Sequence, residues 1–364
     1  MAVPKLRFKE FDADWEKTTL GEVVKFSNGK RVPLSETDRQ KRQGKYRYYG
    51  ASGVIDYVDD YLFDGQYILI GEDGANIITR SSTLAFVVEG QFWVNNHAHI
   101  FQSKHGDNVF LATYLESLNY ERFNSGTAQP KLNLENLKKV PVANPQKPEQ
   151  TKIASFLSTV DEKISQLTQK HALLSQYKQG IMQKLFSQQI RFKADDGSEF
   201  GEWEELKFKD VIKIKYGKDH KKLDDGDIPV LGTGGIMRYV DSYLYEGESI
   251  LIGRKGTIDK PRFISGKFWT VDTLFYTEIG EKILPKFAFQ QLLLVNWLNL
   301  NEATGVPSLN TTSIGNIELK VPCLAEQTKI ANFLSAIDQK IEVVAQQIEQ
   351  AKQWKKGLLQ QMFV

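Results

Sequence analysis

Two textures of hydrophobic and polar residues alternate along the 364-residue chain, and each occurs twice. From about Leu20 to Phe101, and again from about Phe208 to Tyr276, β-branched and aromatic runs alternate with glycine, asparagine and aspartate, which predicts short strands joined by tight turns. Helical spacing follows near Val109 to Phe123 and Pro285 to Leu300, where apolar residues recur at three and four. The second texture is one long stripe. In its first copy the apolar positions are Ile153, Leu157, Val160, Ile164, Leu167, His171, Leu174, Tyr177, Ile181 and Leu185. In its second copy they are Ile330, Leu334, Ile337, Ile341, Val344, Ile348, Ala351, Trp354, Leu358 and Met362. A period of about 3.5 residues kept this long predicts a coiled coil that buries one stripe against another helix. A helix inside a globular core would carry a similar stripe. Both stripes start after proline, Pro145 and Pro148 in the first copy and Pro322 in the second, and neither is interrupted by one.

The two copies are a duplication. EQTKIASFLSTVDEKI from Glu149 returns as EQTKIANFLSAIDQKI from Glu326, 177 residues later, with 12 of 16 positions identical. The likeness runs further: Leu6-Arg7-Phe8 matches Ile190-Arg191-Phe192, Trp15 matches Trp203, and KFSNGK at Lys25 matches KIKYGK at Lys213. YGASGVIDYVDDYLFDGQYILIGEDG at Tyr49 matches LGTGGIMRYVDSYLYEGESILIGRKG at Leu231, GQFW matches GKFW, and GTAQPKLN ending at Asn133 matches GVPSLN ending at Asn310. Such a repeat predicts a pseudo-two-fold α+β protein: two mixed α/β domains joined by two long helices that pair antiparallel. The expected boundaries are 1–148 and 188–325 for the domains, and 149–187 and 326–364 for the helices. A helix of about 36 residues is roughly 54 Å long, longer than one turn of B-DNA at about 34 Å, so a ruler is geometrically possible.

Composition narrows the function. The hydrophobic share of 41% is ordinary for a globular protein, no apolar run reaches the roughly 20 residues that span a bilayer, and the N-terminus does not read as a signal peptide; the expected location is cytoplasmic. Cys323 is the single cysteine, which fits a reducing compartment. Formal charge over the four expected segments is +1, +2, −2 and +1, so no domain is as basic as a typical free-standing DNA binder. DNA binding would rest on local patches or on partner subunits.

Catalytic signatures are missing. A self-sufficient adenine methyltransferase would show Asn or Asp before Pro-Pro and an aromatic residue, and there is no Pro-Pro pair. GxxxxGK followed by Ser or Thr does not occur, and GTGG from Gly232 to Gly235 reads as a turn after a strand. His97 and His99 alternate as strand neighbours, but lack a nearby third ligand for zinc. The DEK at Asp161 falls mid-helix, on a solvated face.

The order domain, helix, domain, helix resembles the specificity subunit of type I restriction-modification enzymes. The residues that carry the likeness are EQTKIASFLSTVDEKI and EQTKIANFLSAIDQKI, LGEVVKFSNGK, YILIGEDG and SILIGRKG, and SGTAQPKLN. The resemblance implies a non-catalytic subunit whose two target recognition domains each read half of a split double-stranded DNA sequence. It also implies two modification (methyltransferase) subunits bound to the helices, with S-adenosylmethionine held by those partners and no cofactor in this chain, and restriction subunits in the full complex. A coiled-coil adaptor whose paired domains bind protein or glycan is the competing class; it leaves unexplained why the domains share a glycine frame yet diverge in loop charge.

Candidate DNA contacts follow from chemistry: phosphates take Lys, Arg, backbone N–H groups and small polar side chains, and base edges take planar donors and acceptors. In repeat one the candidates are Lys30, Arg31, Arg42 and Arg47, set in a basic run with Arg39, Lys41 and Lys45 beside Tyr48 and Tyr49, together with Asn76, Gln129 and Lys131. In repeat two they are Lys218, Lys221, Arg254, Lys255, Thr257 and Ser308. A solvated charged loop explains the basic run equally, and loop drift would also separate Glu72-Asp73 from Arg254-Lys255. Helix pairing is expected from Ile153, Leu157, Val160, Ile164, Leu167, Ile330, Leu334, Ile337, Ile341 and Val344. For Leu132, Leu309, Asn133 and Asn310 the expected roles are structural, the leucines plugging the core and the asparagines capping the next turn.

Overall fold

The computed structural model describes residues 4–126 and 128–363; Thr127, in the GTAQPKLN segment, lies outside the described residues. The chain forms two compact units, one of Met1–Leu167 with Gln347–Val364 and one of Thr168–Gln346. Each unit holds one mixed domain and part of both long helices, Lys147–Phe186 and Leu324–Met362. The first helix takes Pro148 into its opening turn, where a backbone N–H has no intrahelical acceptor and its loss costs little.

The apolar stripes do what their spacing predicts. In the first unit Ile153, Ala154, Leu157 and Val160 share a core with Leu358 and Met362, and Ile164 packs against it. In the second unit Met182, Leu185 and Phe186 meet Ile330, Ala331, Leu334 and Ile337, with Ile341 alongside. The start of each helix therefore lies beside the end of the other, the antiparallel pairing expected. Leu167 and Val344 are buried too.

Two stripe positions depart from the expectation. Tyr177 and Trp354, 177 residues apart, are exposed at 53% and 55%. Lys178 and Lys355 take their place: Lys178 Nζ is 2.6 Å from Asp338 in the second unit, and Lys355 Nζ is 2.5 Å from Asp161 in the first. A straight helix drifts about 20° per heptad against a 3.5-residue repeat, so a four-residue step displaces a three-residue one after a few turns. The lysine stem then lines the seam while its ammonium reaches the opposite carboxylate. Asp161 is accordingly a partner in an interhelical ion pair, not merely part of a solvated face.

The repeated Glu-Gln at the head of each helix locks the domain onto it. Arg7 Nε and Nη2 donate to Glu149 at 2.7 Å each, and Trp15 Nε1 donates to the same carboxylate at 3.1 Å. In the second unit Arg191 donates to Glu326 at 3.1 and 2.7 Å, and Trp203 Nε1 at 3.0 Å. Both carboxylates are nearly or fully buried, and each holds its arginine above the usual guanidinium range, chiefly through the side-chain hydrogen bond. Gln150 and Gln327 donate to the Pro145 and Pro322 carbonyls and accept from the Asp107 and Leu284 N–H groups.

Inside each domain the central strand is buried on both faces. In Tyr67–Gly71, Ile68 and Ile70 face the core shared with the helices while Leu69 faces a second cluster with Tyr49, Phe63 and Phe92. In Tyr245–Gly253, Ile250 and Ile252 face inward and Leu251 joins Leu231 and Phe268. The first unit has two four-stranded sheets, whereas the second fuses the same path into one six-stranded sheet. At the junction Gly65 and Gly90 exchange two hydrogen bonds of 3.1 Å in left-handed backbone, and Gly247 pairs with Gly266 at the matching place.

The short helices stop before the spacing predicts, at Asn108–Ser117 and Pro285–Leu292. The reason is the same in both. Tyr120 Oη donates to the Leu115 carbonyl at 2.8 Å and Trp297 Nε1 to the Leu292 carbonyl at 3.0 Å, so a buried aromatic five residues on ties off the last turn. A separate turn of 3₁₀ helix follows at Glu121–Phe123 and Trp297–Leu300.

Candidate nucleic-acid interface

Several loops meet at one end of the sheet in each unit, and the same backbone bonds join them in both. In the first unit the turn after the central strand carries Glu72 and Asp73. Glu72 N donates to the His97 carbonyl at 2.9 Å, Leu132 N to the Glu72 carbonyl at 2.7 Å, and Gly74 N to the Pro130 carbonyl at 3.0 Å. In the second, Arg254 N donates to the Thr273 carbonyl at 2.8 Å, Leu309 N to the Arg254 carbonyl at 2.9 Å, and Gly256 N to the Pro307 carbonyl at 2.9 Å. Bridges Asp73 to Lys131 and Lys255 to Ser308 complete the match. The turn between strands Gln43–Gly50 and Gly53–Val58, and that between Ile228–Gly232 and Gly235–Val240, lies beside them: a side chain at Gly71 would come within 3.1 Å of the Ala51 carbonyl, and one at Gly256 within 3.8 Å of the Thr233 hydroxyl.

The anchors of this platform are structural, as expected for four of them. Leu132 and Leu309 are buried, and the side chains of Asn133 and Asn310 accept from Asn136 N and Ser313 N at the head of the next helix. Sequence reasoning passed over a further pair. Asn124 Oδ1 accepts from Gly126 N and Lys131 N, and Asn301 Oδ1, 177 residues on, accepts from Ala303 N and Ser308 N. Identity at the repeat spacing was the available signal.

Side chains on the shared frame differ. In the first unit Arg31 donates to Glu72 at 2.8 Å and to the Ala98 carbonyl at 2.7 Å, so it braces the platform from beneath. His99 is buried, with Nε2 at 2.7 Å from the Leu132 carbonyl and Nδ1 at 2.8 Å from Asn28 Nδ2. Those partners assign the proton to Nε2, and desolvation pushes the imidazole pKa down. His97, just ahead of the strand Ala98–Ser103, is half exposed and pairs with Asp73. Lys30, Gln129 and Lys131 are exposed at the same end, Lys131 Nζ lying 3.8 Å from Glu72. Asn76 opens a short helix, and its Oδ1 accepts from Ser82 N at 2.8 Å.

The basic run lies elsewhere. The hairpin of Gln43–Gly50 and Gly53–Val58 turns at Gly50 and Gly53, beside the platform, whereas Arg42 sits at its open end. There Arg42 pairs with Asp59 at 2.9 Å and faces the Trp93 ring, and Arg39 pairs with Asp56 at 2.9 Å. Arg47 is exposed partway along the strand.

In the second unit the candidates converge. Arg254 donates to the Asp272 carbonyl at 3.1 Å and lies over Tyr216, while Lys255 and Thr257 are exposed beside the half-buried Ser308. Lys218 and Lys221 are exposed on the neighbouring loop. Lys221 also lines an open cavity of about 710 Å³ with Asp219, His220, the Gly232–Met237 hairpin and Val271–Thr273. Among the described residues no group of three or more His, Cys, Asp and Glu could hold a metal ion, and no helix is long and apolar enough to cross a membrane.

Two equivalent loop platforms with different side chains, each on a domain locked to a long helix, define a protein built from two copies of one recognition frame. The model of the type I restriction modification DNA specificity domain matches residues 12–176 and 201–353, and the chain belongs to that family. A putative type I restriction enzyme specificity subunit of Haemophilus influenzae is 26% identical over 348 residues, covering 90% of this chain and 88% of the relative. The MjaVIII specificity subunit of Methanocaldococcus jannaschii is 25% identical over 414 residues, covering 95% and 91%. The fold is that of the type I S subunit from M. genitalium, with a TM-score of 0.73 at 19% identity over 100% of this chain and 99% of that one. The chain is thus a DNA-recognition subunit without catalytic function, and the adaptor alternative is not favoured.

Proposed function

We propose that each loop platform reads one half of a split, asymmetric DNA sequence. The observation that carries this reading is a common backbone frame bearing Glu72 and Asp73 in one unit and Arg254 and Lys255 in the other. Identical side chains would suit a palindrome; opposite ones suit two different half-sites. Lys30, Gln129 and Lys131 in the first unit, and Lys218, Lys221, Thr257 and Ser308 in the second, surround the readers and serve as phosphate and sugar contacts. Near-neutral charge implies that the chain alone binds DNA weakly and that partner subunits close the clamp.

In this reading two modification subunits, which hold S-adenosylmethionine and methylate adenine at N6, dock on the two helices. The equivalent exposed aromatics Tyr177 and Trp354 support a stoichiometry of two. Restriction subunits join in the full complex, and the assembly works in the cytoplasm. The helices set the gap between half-sites: inserting four residues near Thr168 lengthens the first by about 6 Å and changes the gap while both half-sequences persist.

Genome-wide mapping of N6-methyladenine with and without this gene tests the proposal. Loss of methylation at one split motif on deletion is the expected result. Unchanged methylation, with the partner genes expressed, refutes it.

A further inference from the structure

We propose that residues 73 and 255 are equivalent base-reading positions that choose between amino and keto bases, Asp73 selecting adenine or cytosine on the contacted strand and Lys255 selecting guanine or thymine. This rests on the reading of the two platforms as DNA readers.

Equivalence comes from the backbone. Each residue follows the first residue after the strand's terminal glycine, each precedes a glycine in left-handed backbone, Gly74 or Gly256, and each bridges the second loop, at Lys131 or Ser308. Residue 97 or 273 then lies alongside, because Glu72 N and Arg254 N donate to those carbonyls.

Chemistry at the two positions is opposite. A carboxylate accepts only, and an ammonium donates only. In the major groove adenine N6 and cytosine N4 are donors, whereas guanine O6 and thymine O4 are acceptors. One frame with an acceptor in one copy and a donor in the other therefore sorts bases by their exocyclic group.

Asp73 also carries little structural burden. Glu72, its neighbour, is neutralised by Arg31 at 2.8 Å and approached by Lys131 and His99 at 3.8 and 3.6 Å. Among the described residues the side-chain partner of Asp73 is His97 Nδ1, at 2.9 and 3.1 Å, and that ring is half exposed. One N–H leaves most of the lone pairs of the carboxylate free. A carboxylate aimed at phosphates would be repelled; one at base depth accepts from an amino group. His97 orients the Asp73 carboxylate; Lys255, beside Thr273, needs no such partner.

The test uses the whole methyltransferase complex in cells at limiting expression, with N6-methyladenine mapped at the wild-type motif and at every singly substituted site. Asp73→Ala is expected to relax one position of the half-site read by the first unit, raising methylation of keto-substituted relative to cognate sites about tenfold or more. The other half and the gap stay unchanged. Lys255→Ala is expected to relax one position of the opposite half, toward amino bases. An unchanged motif, a uniform change across all sites, or relaxation in the wrong half overturns the proposal. If Asp73→Ala abolishes methylation altogether, Asp73→Asn decides, because it keeps an acceptor oxygen: weakened discrimination at the same position supports the proposal, and unweakened discrimination overturns it. If the wild-type gene directs no split motif, the reading of the platforms fails and this proposal with it, an outcome separate from a wild-type motif that the variants leave intact.

Discussion

Replacing Glu326 by alanine should cost the second unit about 3 kcal/mol. Glu326 is fully buried at the head of its helix and accepts from Arg191 Nε, Arg191 Nη2 and Trp203 Nε1 at 3.1, 2.7 and 3.0 Å. Removing one member of a buried pair strands the other, which typically costs about 3–5 kcal/mol. Arg191 keeps 22% of its side chain in water, so the low end applies. Arg191→Met in the same chain removes the stranded charge, and the double variant should be less destabilised than the sum of the single ones. Amide hydrogen exchange resolved by segment is the assay, since a chain of two units need not unfold in one step. At tenfold per roughly 1.4 kcal/mol, amides around Arg191 to Trp203 should exchange about a hundredfold faster in Glu326→Ala, with little change around Arg7 to Trp15. A change under threefold, or strict additivity in the double variant, would refute the argument that this ion pair docks the domain to the helix.

The first unit should lose stability as pH falls. His99 is neutral in the fold and its pKa is depressed by burial, so below about 6.5 the unfolded chain takes a proton that the folded chain resists, and His99→Gln should flatten that slope in chemical denaturation between roughly pH 7 and 5. Asn310→Ala removes an N-cap and should destabilise by about 1 kcal/mol, read as a lower denaturation midpoint with an unchanged m-value. Lys178→Ala leaves Asp338 half exposed, and so should cost less than the Glu326 change when the two are compared by the same exchange assay.

The architecture follows from order along the chain, because duplication and period are both properties of that order. A stripe repeated every 3.5 residues over ten positions calls for burial along a whole helix face, and the 177-residue spacing marks the equivalent positions of the two copies. The leucine plugs and asparagine caps were legible for the same reason: their chemistry is local. Which charges are paired depends instead on groups far away in the sequence. Arg31 and Arg42 read as DNA contacts while their partners Glu72 and Asp59 lay 41 and 17 residues away, and the Arg191–Glu326 lock closes across 135 residues. Seam membership was also tertiary, since the drift that exposes Tyr177 and admits Lys178 depends on the opposing helix supplying Asp338. The repeat sets GEDG against GRKG and so pairs Asp73 with Lys255 in the sequence, where simple loop drift would look the same. The fold adds the convergence, bridging Asp73 to Lys131 and Lys255 to Ser308, because periodicity records what a side chain is buried against but not which loops meet.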